Sequence, residues 1–242
     1  MKKYFPNVIG FGGLFMGIVF YLLCKKIYRN IYFERGLCRL DYGVFIMKPL
    51  HYTLLMMFPL LFTVYLMHRH EFSYSFVIRC GSWRQLLSWQ IKTNMISSFF
   101  YAAFFAGFIF LADRKIPFYN WNIQGSYYFS QNHFILSLPA AEVVCYLFLI
   151  CGVRNFIIEG ILLFSLWNHS FLQGIGCICG ISCFEIAQQK YKIFYRLISF
   201  DYTLWANQNE RLELLLAVFF YIFIGYLLFR SCINKKEIIK IE

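Results

Sequence analysis

An all-α bundle of membrane-crossing helices is the fold class this sequence predicts, and three observations predict it. Charged residues make up only 14% of the 242 residues, where a water-soluble domain carries about 25%. Apolar runs approaching the ~20 residues that a helix needs to cross hydrocarbon recur along the whole chain. No polar stretch between them is long enough to enclose a core of its own, so residues 1–242 read as a single membrane domain. The expected architecture is a polytopic bundle of six spans, with a short extra re-entrant or interfacial segment after the fifth.

The first run, residues 5–24, follows Met1-Lys2-Lys3 and imitates a signal peptide, and Leu22-Leu23-Cys24 faintly imitates a lipoprotein cleavage site. A small residue is missing before the cysteine and further spans follow, which predicts a retained first helix. Within it, Gly13-x-x-x-Gly17 is a spacing that lets helices approach closely. The loop that follows holds Lys25, Lys26, Arg29, Arg35, Arg39 and Lys48, and residues 27–33 could lie flat at the membrane surface. Residues 52–67 and 95–112 supply the second and third spans. Past them, Tyr119, Trp121, Tyr127 and Tyr128 read as an aromatic belt at the headgroup level. Residues 134–151 and 156–172 supply the fourth and fifth spans, with Arg154-Asn155 marking the boundary between them. The apolar piece 174–186 is short for a span. Its Gly176-x-x-x-Gly180 repeats the small-residue packing signal. Residues 214–229 supply the sixth span, followed by a basic tail.

The net charge of +11 does not predict nucleic-acid binding, because Lys and Arg sit in short groups beside apolar runs and form no continuous basic face. Attraction to anionic lipid headgroups is the simpler account. The nine cysteines include Cys24, Cys145, Cys151, Cys177, Cys179 and Cys183 in or beside apolar segments, where Cys acts as a small apolar residue. No metal-ligand set with suitable spacing accompanies them. Six spans place both termini and residues 72–94 on one side, which Lys2, Lys3, Arg230, Lys235, Lys236 and Lys240 would make cytoplasmic. The basic loop after the first span opposes this, and counting Lys and Arg on the two sides gives nearly equal numbers.

The segment at about 68–94 carries the strongest hint of mechanism. Ser82 is a helix cap, and Trp83, Leu86, Leu87 and Ile91 follow at the spacing of an amphipathic helix, with Arg84 and Lys92 on its polar side. By pattern alone this is equally a short helix resting on the membrane surface. The run from Phe76 to Leu87, leading through Lys92 into an apolar span, resembles the loop between helices two and three of small ABC-2-type transporter permeases. Tyr202, Trp205 and Asn207 before the last span, and Asn234-Lys235-Lys236-Glu237 after it, resemble the ending of the same family. The resemblance implies the membrane subunit of an ABC exporter in a bacterial cytoplasmic membrane, of the peptide-export or bacteriocin-immunity type. Six helices and cytoplasmic termini follow from it. So does a coupling segment, mapped here to Val77, Ile78, Arg79, Ser82, Trp83, Arg84 and Leu87, that inserts into an ATPase partner. A second membrane subunit, identical or paralogous, is also implied. The chain has no G-x-x-x-x-G-K-[ST] loop. ATP and Mg therefore belong on the partner, and no cofactor is expected on this chain.

Two carboxylates fall within predicted spans. Glu142 stands three residues after Pro139, where a kink would free backbone carbonyls, and is either a structural hydrogen-bonding group or a substrate contact. Glu159 is expected to reach the interface near the start of the fifth span. No H-E-x-x-H or G-x-S-x-G motif is present, and the five histidines show no paired mid-membrane spacing for haem. The competing expectations are a membrane enzyme or anchor subunit, with Glu142 and histidines in a buried site, and a sensor or scaffold that transports nothing.

Overall fold

The computed structural model describes residues 5–31, 36–68, 71, 82–187 and 207–238, and among them every regular element is a helix. These are α1 (Phe5–Ile31), α2 (Arg39–Ile46), α3 (Pro49–His68), α4 (Trp83–Leu111), α5 (Tyr127–Asn132), α6 (Ala140–Trp167), α7 (Phe171–Ala187) and α8 (Gln208–Ile238). Five of them contain stretches long and apolar enough to cross a membrane: Asn7–Ile27, Pro49–His68, Trp83–Leu111, Ala140–Trp167 and Arg211–Ser231. The expected fourth and fifth spans are thus one helix. Arg154 and Asn155 do not end it: inside the bundle Arg154 lies over the Tyr52 ring, and Asn155 bonds the Tyr52 hydroxyl and the Ser98 carbonyl. The expected amphipathic helix at Trp83 and the third span are likewise one rod of 29 residues. It is capped by Ser82, whose Oγ accepts from the Gln85 N–H at 3.2 Å.

The interior lies between α3, α4 and α6. Outside them, α1 packs along α3 and α4, while α7 lies against α6 and α3. Helix α1 runs parallel to α4: a Cβ at Gly12, Gly13 or Gly17 would meet Tyr101, Phe104 or Phe108 respectively. The Gly13-x-x-x-Gly17 face therefore makes room for aromatic rings. Among the described residues, nothing lies within 4 Å of where a Cβ at Gly176 or Gly180 would stand. The expected short segment is the 17-residue helix α7.

Helix α3 contains a π-helical turn at Thr53–Met57. Pro59, just beyond it, lacks an N–H and crowds the carbonyl one turn back, and the wider turn absorbs that displacement.

The helix ends sort into two groups. Phe11 meets Phe62 and Phe15 meets Phe58, so α1 and α3 are antiparallel. Arg211 at the start of α8 lies 3.8 Å from Glu142 at the start of α6. Near the other end of both helices, Phe229 meets Phe164, and Ile233 packs with Leu87, Leu163 and Trp167. The start of α1, the start of α4 and the end of α8 therefore share one end of the bundle, here the terminal end. Helix α2 and residues 112–139 form the other, the cap end.

The described parts of the basic stretch after the first span are helical and packed at the cap end. Helix α1 continues to Ile31, and Leu40 through Ile46 are all buried. Arg39 pins the two halves of the cap together, donating from Nε to the Ile116 carbonyl at 3.0 Å and from Nη1 to the Phe110 carbonyl at 2.9 Å. Part of the basic excess is therefore structural. Asp41 reaches back to the Cys38 N–H at 2.7 Å and accepts from Trp121 Nε1 at 2.8 Å. Trp121 stacks on Tyr128 at 5.0 Å, and both are fully buried in protein. The expected aromatic belt is instead the core of this cap.

Candidate functional site

The inner face of α4 carries the buried residues Gln90, Thr93, Asn94, Ser97, Ser98 and Tyr101 at helical spacing in the middle of an apolar span. Side chains of α3 and α6 meet them and form a polar column running from mid-bundle to the terminal end.

Near mid-bundle, Arg154 is only 3% exposed. Its guanidinium lies 3.8 Å over the Tyr52 ring, and Nη1 donates to the Met47 carbonyl at 3.3 Å. Tyr52, at the start of the π turn, donates to Asn155 Oδ1 at 2.5 Å. Asn155 Nδ2 in turn donates to the Ser98 carbonyl at 3.2 Å. One turn further along α6, Glu159 is fully buried, and Ser97 Oγ lies 3.0 and 2.8 Å from its two carboxylate oxygens. Ser97 Oγ also lies 3.0 Å from the Asn94 carbonyl. Tyr101 and Thr63 share a hydrogen bond of 2.6 Å alongside.

Towards the terminal end, His68 and Glu71 are completely buried. His68 Nδ1 lies 2.7 Å from Glu71 Oε2, and Nε2 lies 2.6 Å from Asn94 Oδ1. Gln90 Nε2 donates to Glu71 Oε2 at 2.8 Å and its Oε1 accepts from Trp167 Nε1 at 2.8 Å. The column is incompletely satisfied: Asn94 Nδ2 and Glu71 Oε1 have no hydrogen bond among the described residues. Buried polar groups without partners are costly, and inside a membrane they mark places where a partner arrives or helices rearrange.

The two carboxylates expected in spans exchange roles. Pro139 is the N-cap of α6 and makes no kink, so Glu142 falls in the first helical turn, where the helix dipole favours an anion. It is partly exposed and faces Arg211. Glu159, expected at the interface, is the carboxylate held inside. Glu142 and His68 lie at opposite ends of the bundle, so they do not build one site. Of the other histidines, His51 bonds the Phe45 carbonyl, while His133 and His169 take left-handed backbone at helix ends. No group of three or more His, Cys, Asp or Glu placed to hold a metal occurs among the described residues.

The expected coupling residues divide. Val77, Ile78 and Arg79 lie outside the described residues. Ser82, Trp83, Arg84 and Leu87 form the first turns of α4. Arg84 is exposed, Leu87 is buried, and Trp83 packs edge-on to Trp167 at 5.8 Å. Trp83 and Leu87 thereby join α4 to α6 and α8 in one apolar cluster. The residues that sequence reasoning missed are Gln90, Asn94, Ser97, Ser98, Tyr52, Asn155 and Arg154. Their signal was a polar stripe at helical period, Gln90, Asn94, Ser97 and Tyr101, inside an otherwise apolar run.

No family model, no curated protein and no solved structure matches this chain.

Proposed function

We propose that this chain is the membrane-spanning subunit of an ATP-driven exporter, moving a peptide or other amphipathic substrate with energy from ATP hydrolysed on a separate chain. One observation carries the reading. Helix α4 is an unbroken rod whose first turn, Trp83 to Leu87, sits at the terminal end and whose inner face lines the incompletely bonded polar column. A partner that pushes on residues 77–87 would displace that rod lengthwise, and the α3–α4–α6 contacts have spare donors and acceptors with which to exchange partners. A helix in a partner's groove is a common recognition mode for such a push.

The path of the chain supports six crossings. Phe171 starts α7 beside Tyr65 near the terminal end, and Ser182 reaches Thr53 towards the cap end. Helix α8 begins again at the cap end with Arg211. Helix α7 thus runs from the terminal end towards the cap end, and on this reading it is the sixth traverse. On this reading both termini and residues 72–84 face the cytoplasm of a bacterial cell membrane. The exposed faces of α7 and α8 are available to a second membrane subunit.

The test is purification of the full chain from its host in mild detergent. A tightly held ATPase is expected, with turnover falling about tenfold in Trp83→Ala or Arg84→Glu, equivalent to about 1.4 kcal/mol. Recovery of the chain with no ATPase would end the proposal. In intact cells, an impermeant maleimide should label Asn122→Cys and not Ser82→Cys. The reverse pattern would invert the orientation.

A further inference from the structure

A cleft of about 520 Å³ opens between α1, α2 and the C-terminal part of α4, away from the polar column. Its size falls within the ~300–1,000 Å³ usual for small-molecule sites. Its depth is apolar: Phe20 and Phe108 face each other at 5.6 Å, and Leu111 closes one side. Gly17 also lines it, packed against the Phe108 ring. Its mouth is charged, with Lys25 on α1 and Asp113 just past α4.

These charges stand where the apolar stretches Asn7–Ile27 and Trp83–Leu111 finish together at the cap end. That is the depth at which headgroups lie, so the cleft descends from headgroup level into hydrocarbon. Lys25 is exposed and forms no ion pair with another described residue. Asp113 Oδ1 accepts from the Lys115 N–H at 3.0 Å, leaving its other oxygen available.

We infer that this cleft binds one glycerophospholipid with a primary-amine headgroup. Its phosphate pairs with Lys25, its amine with Asp113, and an acyl chain runs past Phe20 and Phe108 towards Gly17. The charge pattern selects the headgroup. A glycerol headgroup would offer Asp113 only a neutral hydroxyl, where an ammonium offers a charge-assisted hydrogen bond. A trimethylated amine could not donate a hydrogen bond to the carboxylate. The inference is independent of the exporter reading and holds whichever side the cap end faces.

The test uses the delipidated full chain, incubated with mixed micelles of equal phosphatidylethanolamine, phosphatidylcholine and phosphatidylglycerol and then read by native mass spectrometry. One phosphatidylethanolamine per chain is expected, at about tenfold preference over phosphatidylcholine. Lys25→Gln should lower retention of all three about tenfold. Asp113→Asn should leave a lipid bound but abolish the preference for the amine. Both substitutions are exposed, and the helical circular dichroism of each variant shows that it folds. Equal retention of the three lipids by the parent chain, a preference for phosphatidylglycerol, or unchanged retention in Lys25→Gln would each overturn the assignment.

Discussion

The cap and the column both bury polar groups, yet they do so in different ways. In the cap, buried side chains bond mostly to backbone. Asp41 takes the Cys38 N–H, Arg39 spans two carbonyls, and Asn120 Nδ2 donates to the Gly36 carbonyl at 2.6 Å. Gly36 itself has φ +99°, and a Cβ there would strike the Gly125 carbonyl. In the column, the bonds run largely between side chains of three separate helices. Backbone contacts fix one arrangement. Side-chain contacts between rigid rods permit a second arrangement at modest cost. The cap is built to stay, and the column is built so that it can re-pair.

The largest expected effect comes from breaking the cap. Trp121→Ala removes the stack on Tyr128 and the donor to Asp41, and should cost about 3–5 kcal/mol, the range for emptying a large aromatic site. Thermal unfolding in detergent checks this, and a change below 1 kcal/mol would show that the cap is not a core. Next comes the column. Ser97→Ala takes the hydroxyl from Glu159 and should cost about 1–3 kcal/mol. Glu159→Gln keeps shape and hydrogen bonding and should cost less than about 1 kcal/mol. If Glu159→Gln destabilises more than Ser97→Ala, the carboxylate is structural and the re-pairing contrast fails.

Alkaline titration should weaken the cap. Burial pushes the Tyr119 hydroxyl up to about 12 from its usual value near 10. The folded state therefore favours the neutral phenol. That contribution is complete below pH 10 and is lost as pH rises from 10 towards 12. Unfolding followed across this range should show Tyr119→Phe losing less stability than the parent chain. Burial, helped by the neighbouring Asp41, likewise raises the Cys38 thiol well above its ordinary value. Folded protein at pH 8 should therefore leave Cys38 unmodified by maleimide. The smallest effect is expected at Glu142→Gln. Its partly exposed 3.8 Å pair with Arg211 is worth a few tenths of a kcal/mol in unfolding measurements.

Apolar run length determined the membrane class, the helical fold and the approximate positions of α1, α3 and α8, because the cost of exposing a peptide group to hydrocarbon leaves a single chain little choice but helix. Ser82 was legible as a cap because capping is local. Where helices end was not legible. Arg154 and Asn155 look like a boundary in one dimension, and it takes partners from distant segments, among them the Tyr52 side chain, the Met47 carbonyl and the Ser98 carbonyl, to make them tolerable inside. The same applies to the two carboxylates. Residue type and position along the chain could not rank Glu142 against Glu159, because burial depends on which face each helix turns inward and on what meets it there. The sequence by itself determined that this chain is a helical membrane protein. The tertiary structure alone decided that its aromatic residues at 119–128 form a cap and that its polar residues form a column, since both depend on contacts between residues far apart in the chain.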